Sequence, residues 1–167
     1  MKLYFERHDG QAVTCDDFSQ AIADANPDSP LAKNLQQFRR WYSQAGTPVL
    51  KAVGQYDAAA LTYTLTLSQS CAPTVGQAEK LPFVIPVQMG LLTAEGQAIA
   101  LQLQGEDAAQ TSHNRTLVLT EAEQSFVFTH VPSAPVLSLL RAFSAPVVLE
   151  HDFSDADLLT LLAHDSD

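Results

Sequence analysis

Apolar and polar residues follow two different periods along the chain, a helical one in the first 47 residues and an alternating one from about residue 48. In the first part, Thr14 and Asp17 stand at the spacing of a capping box, in which each side chain bonds the other's backbone N–H. Apolar residues at helical spacing follow, from Phe18 to Ala25. Asn26 and Pro27 predict the end of this first helix, because proline cannot continue the backbone hydrogen-bond ladder.

A second helix is predicted to begin directly afterwards. Ser29 can cap it, and Pro30 suits its first turn. Gly46, with Pro48 two residues further on, suits its end. One face of this helix carries apolar residues at i, i+4, i+7 and i+11, namely Leu31, Leu35, Phe38 and Tyr42. Such a face needs a cover, which the first helix, the sheet or a domain outside this sequence could supply.

From residue 48 to 151 the pattern predicts strands. Residues 61–67 alternate most clearly between apolar side chains and threonine. Pro86, in a second strand at 83–89, predicts an edge position or a bulge. Further strands are predicted at 48–53, 99–103, 116–119, 125–129 and 147–150, with a turn at 93–96 and a hairpin joining 116–119 to 125–129. Seven short strands in about 100 residues favour an immunoglobulin-like β-sandwich. The predicted class is therefore mainly β, with a two-helix segment in front of the sandwich.

The last residues, 152–167, predict the start of another helix. Ser154 and Asp157 repeat the capping-box spacing, and Leu158, Leu159, Leu161 and Leu162 follow. The pattern thus divides the chain into segments 1–47, 48–151 and 152–167.

Composition and charge exclude several classes of function. Apolar residues make up 46% and charged residues 17% of the chain, as in globular proteins. The net charge of −10 argues against binding a nucleic-acid backbone, and Arg39-Arg40 is the only basic pair. A mild acidic cluster lies at Asp152, Asp155, Asp157, Asp165 and Asp167. No apolar run approaches the roughly 20 residues that a membrane span needs, so neither a nucleic acid nor a membrane is an expected partner.

The residue types that carry catalysis occur without a catalytic spacing. The five histidines contain no His-Glu pair and no two residues four apart, so they predict no zinc helix of the His-Glu-x-x-His kind. Cys15 and Cys71 are expected to be free thiols. His151-Asp152 is interpreted as a solvated strand end, and Glu121 and Glu123 as charges on a turn. The aromatic pair Trp41-Tyr42 is interpreted as core or interface packing rather than a ligand platform. The basic pair Arg39-Arg40 is interpreted as a solvated face or as a contact to a neighbouring domain. The glycosylation sequon at Asn114 would have no meaning in a cytosolic protein. We therefore name no catalytic, cofactor-binding or metal-binding residue.

Four runs of the sequence resemble the bacterial aminopeptidase N family, the alanyl aminopeptidases among the gluzincin zinc metallopeptidases. The runs are YFERHDG with VTCDDF at 4–18, FRRWYSQAGTP at 38–48, EQSFVF at 123–128 and SLLRAFSAPV at 138–147. Their order and spacing match the family from near the first residue to the last. The resemblance implies that 1–47 ends the catalytic domain, that 48–151 is its immunoglobulin-like domain, and that 152–167 enters a C-terminal helical domain.

The resemblance also implies the function. The parent enzyme would be a cytoplasmic, zinc-dependent aminopeptidase that removes N-terminal residues from peptides, and its zinc ligands and catalytic groups would precede this segment. This chain would then be inactive alone, without a cofactor, and its partners would be the other domains of the same enzyme. A stand-alone immunoglobulin-like binding module remains the alternative at this point.

Overall fold

The computed structural model describes residues 1–108 and 111–165 and shows a helical first quarter followed by two β-sheets. The helices are α1 (Lys2–His8), α2 (Cys15–Ala25), α3 (Pro30–Lys33), α4 (Leu35–Phe38), α5 (Arg40–Ser43) and α6 (Asp155–His164). The strands are β1 (Val49–Asp57), β2 (Thr62–Ser70), β3 (Ile85–Leu92), β4 (Ala98–Ile99), β5 (Arg115–Leu119), β6 (Glu123–Phe128), β7 (Val136–Leu139) and β8 (Val148–Glu150). The mainly β class is confirmed.

Both predicted capping boxes form. At the start of α2, Thr14 Oγ1 accepts the Asp17 N–H at 3.2 Å, and the Asp17 carboxylate accepts the Thr14 N–H at 2.9 Å. Ser154 and Asp157 make the same pair of bonds at the start of α6. These bonds satisfy backbone N–H groups that the first helical turn otherwise leaves unpaired. The pattern did not predict α1.

The second predicted helix is not one continuous helix but the three short pieces α3, α4 and α5. The first break is at Asn34, whose φ of −123° and ψ of 23° are not helical. Its side-chain amide donates to the Pro30 carbonyl at 2.9 Å, so the side chain competes with the helical backbone pattern. The last piece ends at Ser43, short of the expected Gly46.

The strands form two sheets packed face to face. One sheet has the order β6-β2-β1-β8, in which β8 runs parallel to β1 and the other pairs are antiparallel. In the other sheet β3 is central and pairs with β4, β5 and β7, all antiparallel. Burying alternate side chains from both inner faces builds one core, as expected of an immunoglobulin-like sandwich. Its fully buried members include Leu50, Leu65, Ile85, Met89, Leu119 and Phe128.

Two strand predictions were wrong. The segments 116–119 and 125–129 do not form a hairpin, because β5 pairs with β3 in one sheet and β6 pairs with β2 in the other. Alternation predicts which side chains face the core, but it does not say which sheet a strand joins. The strand β7 was missed, and the expected strand at 99–103 is only β4 with isolated bridges at Leu101 and Leu103.

Pro86 lies in the central strand β3, not in an edge strand, but at a point where β3 is paired on one side only. Its β5 neighbour is Val118, but on the other side β7 pairs only with Met89–Leu92 of β3. Proline has no N–H to contribute to a ladder, and none is needed at that point. Across residues 1–108 and 111–165, no helix is long and apolar enough to cross a membrane.

Candidate functional site

The histidines lie on separate parts of the fold. His8 is on α1 with its ring 5.5 Å from that of Tyr4, and His164 ends α6. His113 and His130 are exposed in connections of the sandwich. In the part of the chain that the structure describes, no group of three or more His, Cys, Asp or Glu residues could hold a metal ion.

The pair His151-Asp152 closes the end of a strand. His151 Nδ1 lies 2.9 Å from the carbonyl oxygen of Ala52, and its ring meets Phe153 edge-on at 4.3 Å. Asp152 is exposed. The histidine therefore extends the contact between β8 and β1 by one residue, and the interpretation as a strand end fits this position.

The other candidate residues of the sequence also lie on separate elements of the fold. Cys15 is exposed at the start of α2, Cys71 is half-buried after β2, and both are free thiols, as expected. Glu121 and Glu123 are exposed at the β5–β6 connection. The amide oxygen of Asn114 accepts a hydrogen bond from Arg141, so this polar side chain has a structural partner.

Trp41 attaches the helical segment to the sandwich. Its ring lies 4.6 Å from that of Phe83, which is fully buried, and its indole N–H donates to the Val84 carbonyl at 2.9 Å. Its interpretation as a packing residue is confirmed. Tyr42, the next residue, is 52% exposed and stacks edge-on with Phe38.

Polar side chains reinforce this junction. The Gln37 amide donates to the carbonyl of Thr120 at 2.6 Å, and Arg40 donates to the carbonyl of Pro82. The Gln44 side chain bonds both the carbonyl and the N–H of Leu81, each at 2.9 Å. Residues 37–44 therefore satisfy backbone groups of the sandwich loops and belong to its packing unit.

Of the two interpretations of the basic pair, the solvated face is wrong, and a contact to the neighbouring segment is found for Arg40. Arg39 lies 3.0 Å from the Asp16 carboxylate of α2 and bonds Gln20, while Arg40 bonds the sandwich. Both arginines are partly buried. The helical pieces α4 and α5 bring Arg39 against α2 and Arg40 against the β2–β3 connection. Arg39 therefore binds within segment 1–47, whereas Arg40 joins this segment to the sandwich.

A polar cluster surrounds Arg141, two residues after the end of β7. Its Nε donates to Ser138 Oγ at 2.8 Å and its Nη2 lies 3.0 Å from the Asp165 carboxylate. Its Nη1 donates to Asn114, and a Cβ on Gly90 would overlap the guanidinium. The side chains of Arg141 and Asp165 are only 9% and 13% exposed, so this ion pair is largely removed from water. Sequence reasoning missed it, because an arginine and an aspartate 24 residues apart carry no motif.

The turn that follows, at residues 140–144, has an unusual backbone. Leu140, Ala142 and Phe143 have φ of 57°, 52° and 49°, a left-handed region that residues other than glycine rarely adopt. Ser144 Oγ accepts the N–H of Gln88 at 2.9 Å and ties the far end of the turn to β3. The Phe143 side chain is 98% exposed. The turn therefore holds a large apolar ring in water.

Replacing Ala142 by glycine is expected to stabilise the chain. Glycine adopts a φ of 52° without a Cβ clash, and the relief exceeds the added freedom of the unfolded chain by about 1 kcal/mol. Urea unfolding followed by circular dichroism measures this change in the free energy of unfolding. Ala122→Gly, in a turn where φ is not positive, is the control and is expected to destabilise instead; equal effects at both positions would contradict the account.

Two groups of the sandwich, the Glu106 carboxyl and the Tyr63 hydroxyl, have a pKa shifted from the ordinary value. Hydrogen bonds from Arg115 hold the pKa of Glu106 below its ordinary value. Burial, followed by the charge of Asp157, raises the pKa of Tyr63 to about 12. Tyr63 lies in the core beneath Gly54, where a Cβ would overlap its hydroxyl. Both groups lie within the sandwich, where Glu106 pairs with Arg115 and Tyr63 packs in the core.

Comparison with known proteins relates the chain to one group of enzymes. Residues 46–152 match the family model described as "Domain of unknown function (DUF3458) Ig-like fold". The chain is 48% identical over 164 residues to "Aminopeptidase N" of Escherichia coli (strain K12), covering 98% of the chain and 18% of that protein. It is 43% identical over 162 residues to "Aminopeptidase N" of Haemophilus influenzae, covering 97% of the chain and 18% of that protein.

A solved structure shows the same relation. The chain superimposes with a TM-score of 0.76 and 29% identity on the crystal structure of Legionella pneumophila aminopeptidase A in complex with aspartic acid, covering 98% of this chain and 16% of that one. The chain thus spans less than a fifth of the length of the curated relatives it matches.

Proposed function

The chain belongs to the family of Ig-like domains described as domain of unknown function DUF3458, and we propose that it is a non-catalytic structural segment of a zinc-dependent aminopeptidase. The longer enzyme would remove N-terminal amino acids from peptides. One observation carries the proposal: 48% identity to aminopeptidase N extends over 98% of the chain, through the sandwich and both helical ends.

The role proposed for the sandwich is that of a spacer. Segment 1–47 would be the end of the catalytic domain, 48–151 the Ig-like domain, and 152–167 the start of a C-terminal helical domain, although residues 166 and 167 lie outside the described part. The polar junction made by Gln37, Arg40 and Trp41 supports a rigid connection between the first two segments. A spacer of this kind would set the other domains of the same enzyme at a fixed distance.

Zinc is assigned to a part of the enzyme outside this chain. A catalytic zinc site needs three protein ligands that converge on one point. In residues 1–108 and 111–165, the His, Cys, Asp and Glu side chains form no such group, so the residues present do not fit the metal. We propose a cytoplasmic location for the longer enzyme, as the resemblance of the sequence to the family implies.

Assay of the complete gene product tests the proposal. The protein expressed from the whole gene is expected to hydrolyse an aminoacyl p-nitroanilide, to lose this activity on zinc chelation and to regain it on adding zinc. The 167-residue chain, expressed alone as the matched control, is expected to show no turnover with or without zinc. A gene that encodes only this chain, or turnover by the chain itself, would contradict the proposal; the first result would favour a stand-alone binding module.

A further inference from the structure

The histidine side chains differ in whether the chain gives them a partner. Three of the five have one, namely His8 with Tyr4, His151 with Ala52 and His164 with Gly96. The imidazoles of His113 and His130 make no hydrogen bond, ion pair or ring contact with the described chain, residues 1–108 and 111–165. Both are exposed, so their ring nitrogens are available to a ligand.

His113 and His130 line the same cleft, although they belong to different connections of the sandwich. The cleft has a volume of about 380 Å³, a size typical of small-ligand sites. Its other polar lining residues are Thr93, Gln102, Thr111 and Thr129. None of the described residues that line it is an Asp, Glu, Lys or Arg. The imidazole nitrogens are therefore the strongest ligand atoms that the cleft offers.

The segment 99–103 lies between the two connections that carry these histidines. On one side, the Leu101 N–H donates at 2.7 Å to the carbonyl of the residue before His113. On the other side, the Gln102 carbonyl accepts the N–H of the residue before His130 at 2.9 Å. Adjacent strands lie about 4.8 Å apart, so the backbones of the two histidines stand about 10 Å apart across this segment.

The backbone of His130 is held in an uncommon conformation. Its φ of 60° lies in the left-handed region, and such backbone concentrates at sites that bind ligands. The next residue, Val131, is fully buried and donates to the Leu61 carbonyl at 2.9 Å, which fixes the direction of the chain. Ala100 lines the cleft beside the histidines and carries only a methyl group, so it leaves room for both rings.

We propose that His113 and His130 form a two-histidine site for a divalent transition metal ion of the zinc, nickel or copper class. Imidazole is a preferred ligand of these ions. Each metal–nitrogen bond is about 2 Å long, so one ion joins the two rings when they lean towards each other over Ala100. Water and the threonine hydroxyls of the cleft complete the coordination.

The lining of the cleft selects this class of ligand. Magnesium and calcium ions need carboxylate or carbonyl ligands, and the described lining contains no Asp or Glu. The net charge of −10 attracts cations and repels anions.

The two-histidine site differs from the catalytic zinc site of the proposed parent enzyme. A catalytic zinc has three protein ligands, whereas this ion has two, so we expect it to exchange with the solution. The inference goes beyond the proposed function and does not depend on it, since both histidines belong to the sandwich itself.

Modification of the histidines with diethyl pyrocarbonate tests the inference, because the reagent needs a ring nitrogen that no metal occupies. The complete gene product is passed over a chelating resin and treated with the reagent, with or without saturating Zn²⁺. Peptide mass spectrometry follows each histidine separately. We expect Zn²⁺ to slow the modification of His113 and His130 about tenfold or more. The internal controls, which should react equally with and without Zn²⁺, are His8, His151 and His164.

Two variants test whether the histidines share one ion. In His130→Asn, whose new side chain tolerates a positive φ, the protection of His113 by Zn²⁺ should be lost. In His113→Asn, the protection of His130 should be lost in the same way. His8→Asn is the matched control and should leave the protection of both residues unchanged.

Three results would overturn the inference. Zn²⁺ may leave both rates unchanged, which shows that the cleft binds no such ion. Equal protection of all five histidines would show an adventitious ion only. Protection of His113 that persists in His130→Asn would show that the two residues do not share an ion. Each of these results leaves the proposed function standing, because none of them concerns aminopeptidase activity.

Discussion

Replacing Arg141 by methionine is expected to destabilise the chain by about 3 kcal/mol, the lower end for removing one partner of a buried ion pair. The substitution leaves the Asp165 carboxylate, 13% exposed, without its cation, and it removes the donor that Ser138 Oγ and Asn114 accept from. A domain of this size is stable by about 5–15 kcal/mol, so the loss is a large fraction of the total. Urea unfolding followed by circular dichroism gives the free energies of unfolding.

Two variants define what Arg141 contributes. Arg115→Met breaks the ion pair with Glu106, whose side chains are 24% and 21% exposed, and is expected to cost about 1 kcal/mol because water screens it. Arg141→Lys keeps the charge, but its single nitrogen cannot take the three positions from which the guanidinium nitrogens bond Ser138, Asn114 and Asp165, so we expect an intermediate loss. If Arg141→Met costs no more than Arg115→Met, burial does not strengthen the contribution of the cluster at the end of β7, which would contradict the expected difference.

Replacing Trp41 by alanine is expected to destabilise the chain by about 3 kcal/mol, as for other large aromatic residues truncated to alanine. The change removes the packing of the indole on Phe83, at 4.6 Å between rings, and the hydrogen bond to the Val84 carbonyl. Trp41→Phe keeps a ring and loses the hydrogen bond, which is expected to cost about 1 kcal/mol. Because the sequence contains one tryptophan, the fluorescence of the native chain also reports directly on this junction during unfolding.

The matched control for Trp41 is its neighbour. Tyr42 is 52% exposed, and Tyr42→Ala is expected to change the free energy of unfolding by less than about 1 kcal/mol. If Trp41→Ala and Tyr42→Ala changed the free energy of unfolding equally, the packing of Trp41 on the sandwich would not stabilise the helical segment. That result would contradict a rigid connection across residue 47.

Local signals allowed much of the fold to be predicted. The capping boxes at Thr14 and Ser154 depend on residues three apart, and both form as expected. The alternation of residues 61–67 predicts a strand with one buried face, and β2 buries every second side chain from Tyr63 to Leu67. Predictions that depended on distant partners were less successful: β5 and β6 join different sheets, and the second helix divides at Asn34.

The Arg141 cluster and the turn at residues 140–144 could not be predicted for the same reason. Arg141 was part of a run that indicated the family, yet its partners Asn114 and Asp165 come from separate parts of the chain. Left-handed backbone at Leu140 and Ala142 has no sequence signal, since neither residue is glycine. The exposure of Phe143 contradicts what its apolar side chain predicts, and only the fold reveals it.

An antibody raised against this chain tests the central claim most directly. In a lysate of the source organism, we expect a single band at about 100 kDa. This mass follows because the chain, of 18.1 kDa, covers 18% of the Escherichia coli relative, and 18.1 divided by 0.18 is about 100. Depleting the lysate with the antibody should remove zinc-dependent aminopeptidase activity together with that band. A band at 18 kDa alone, with the activity left in the depleted lysate, would contradict the account and show that the chain is a protein on its own.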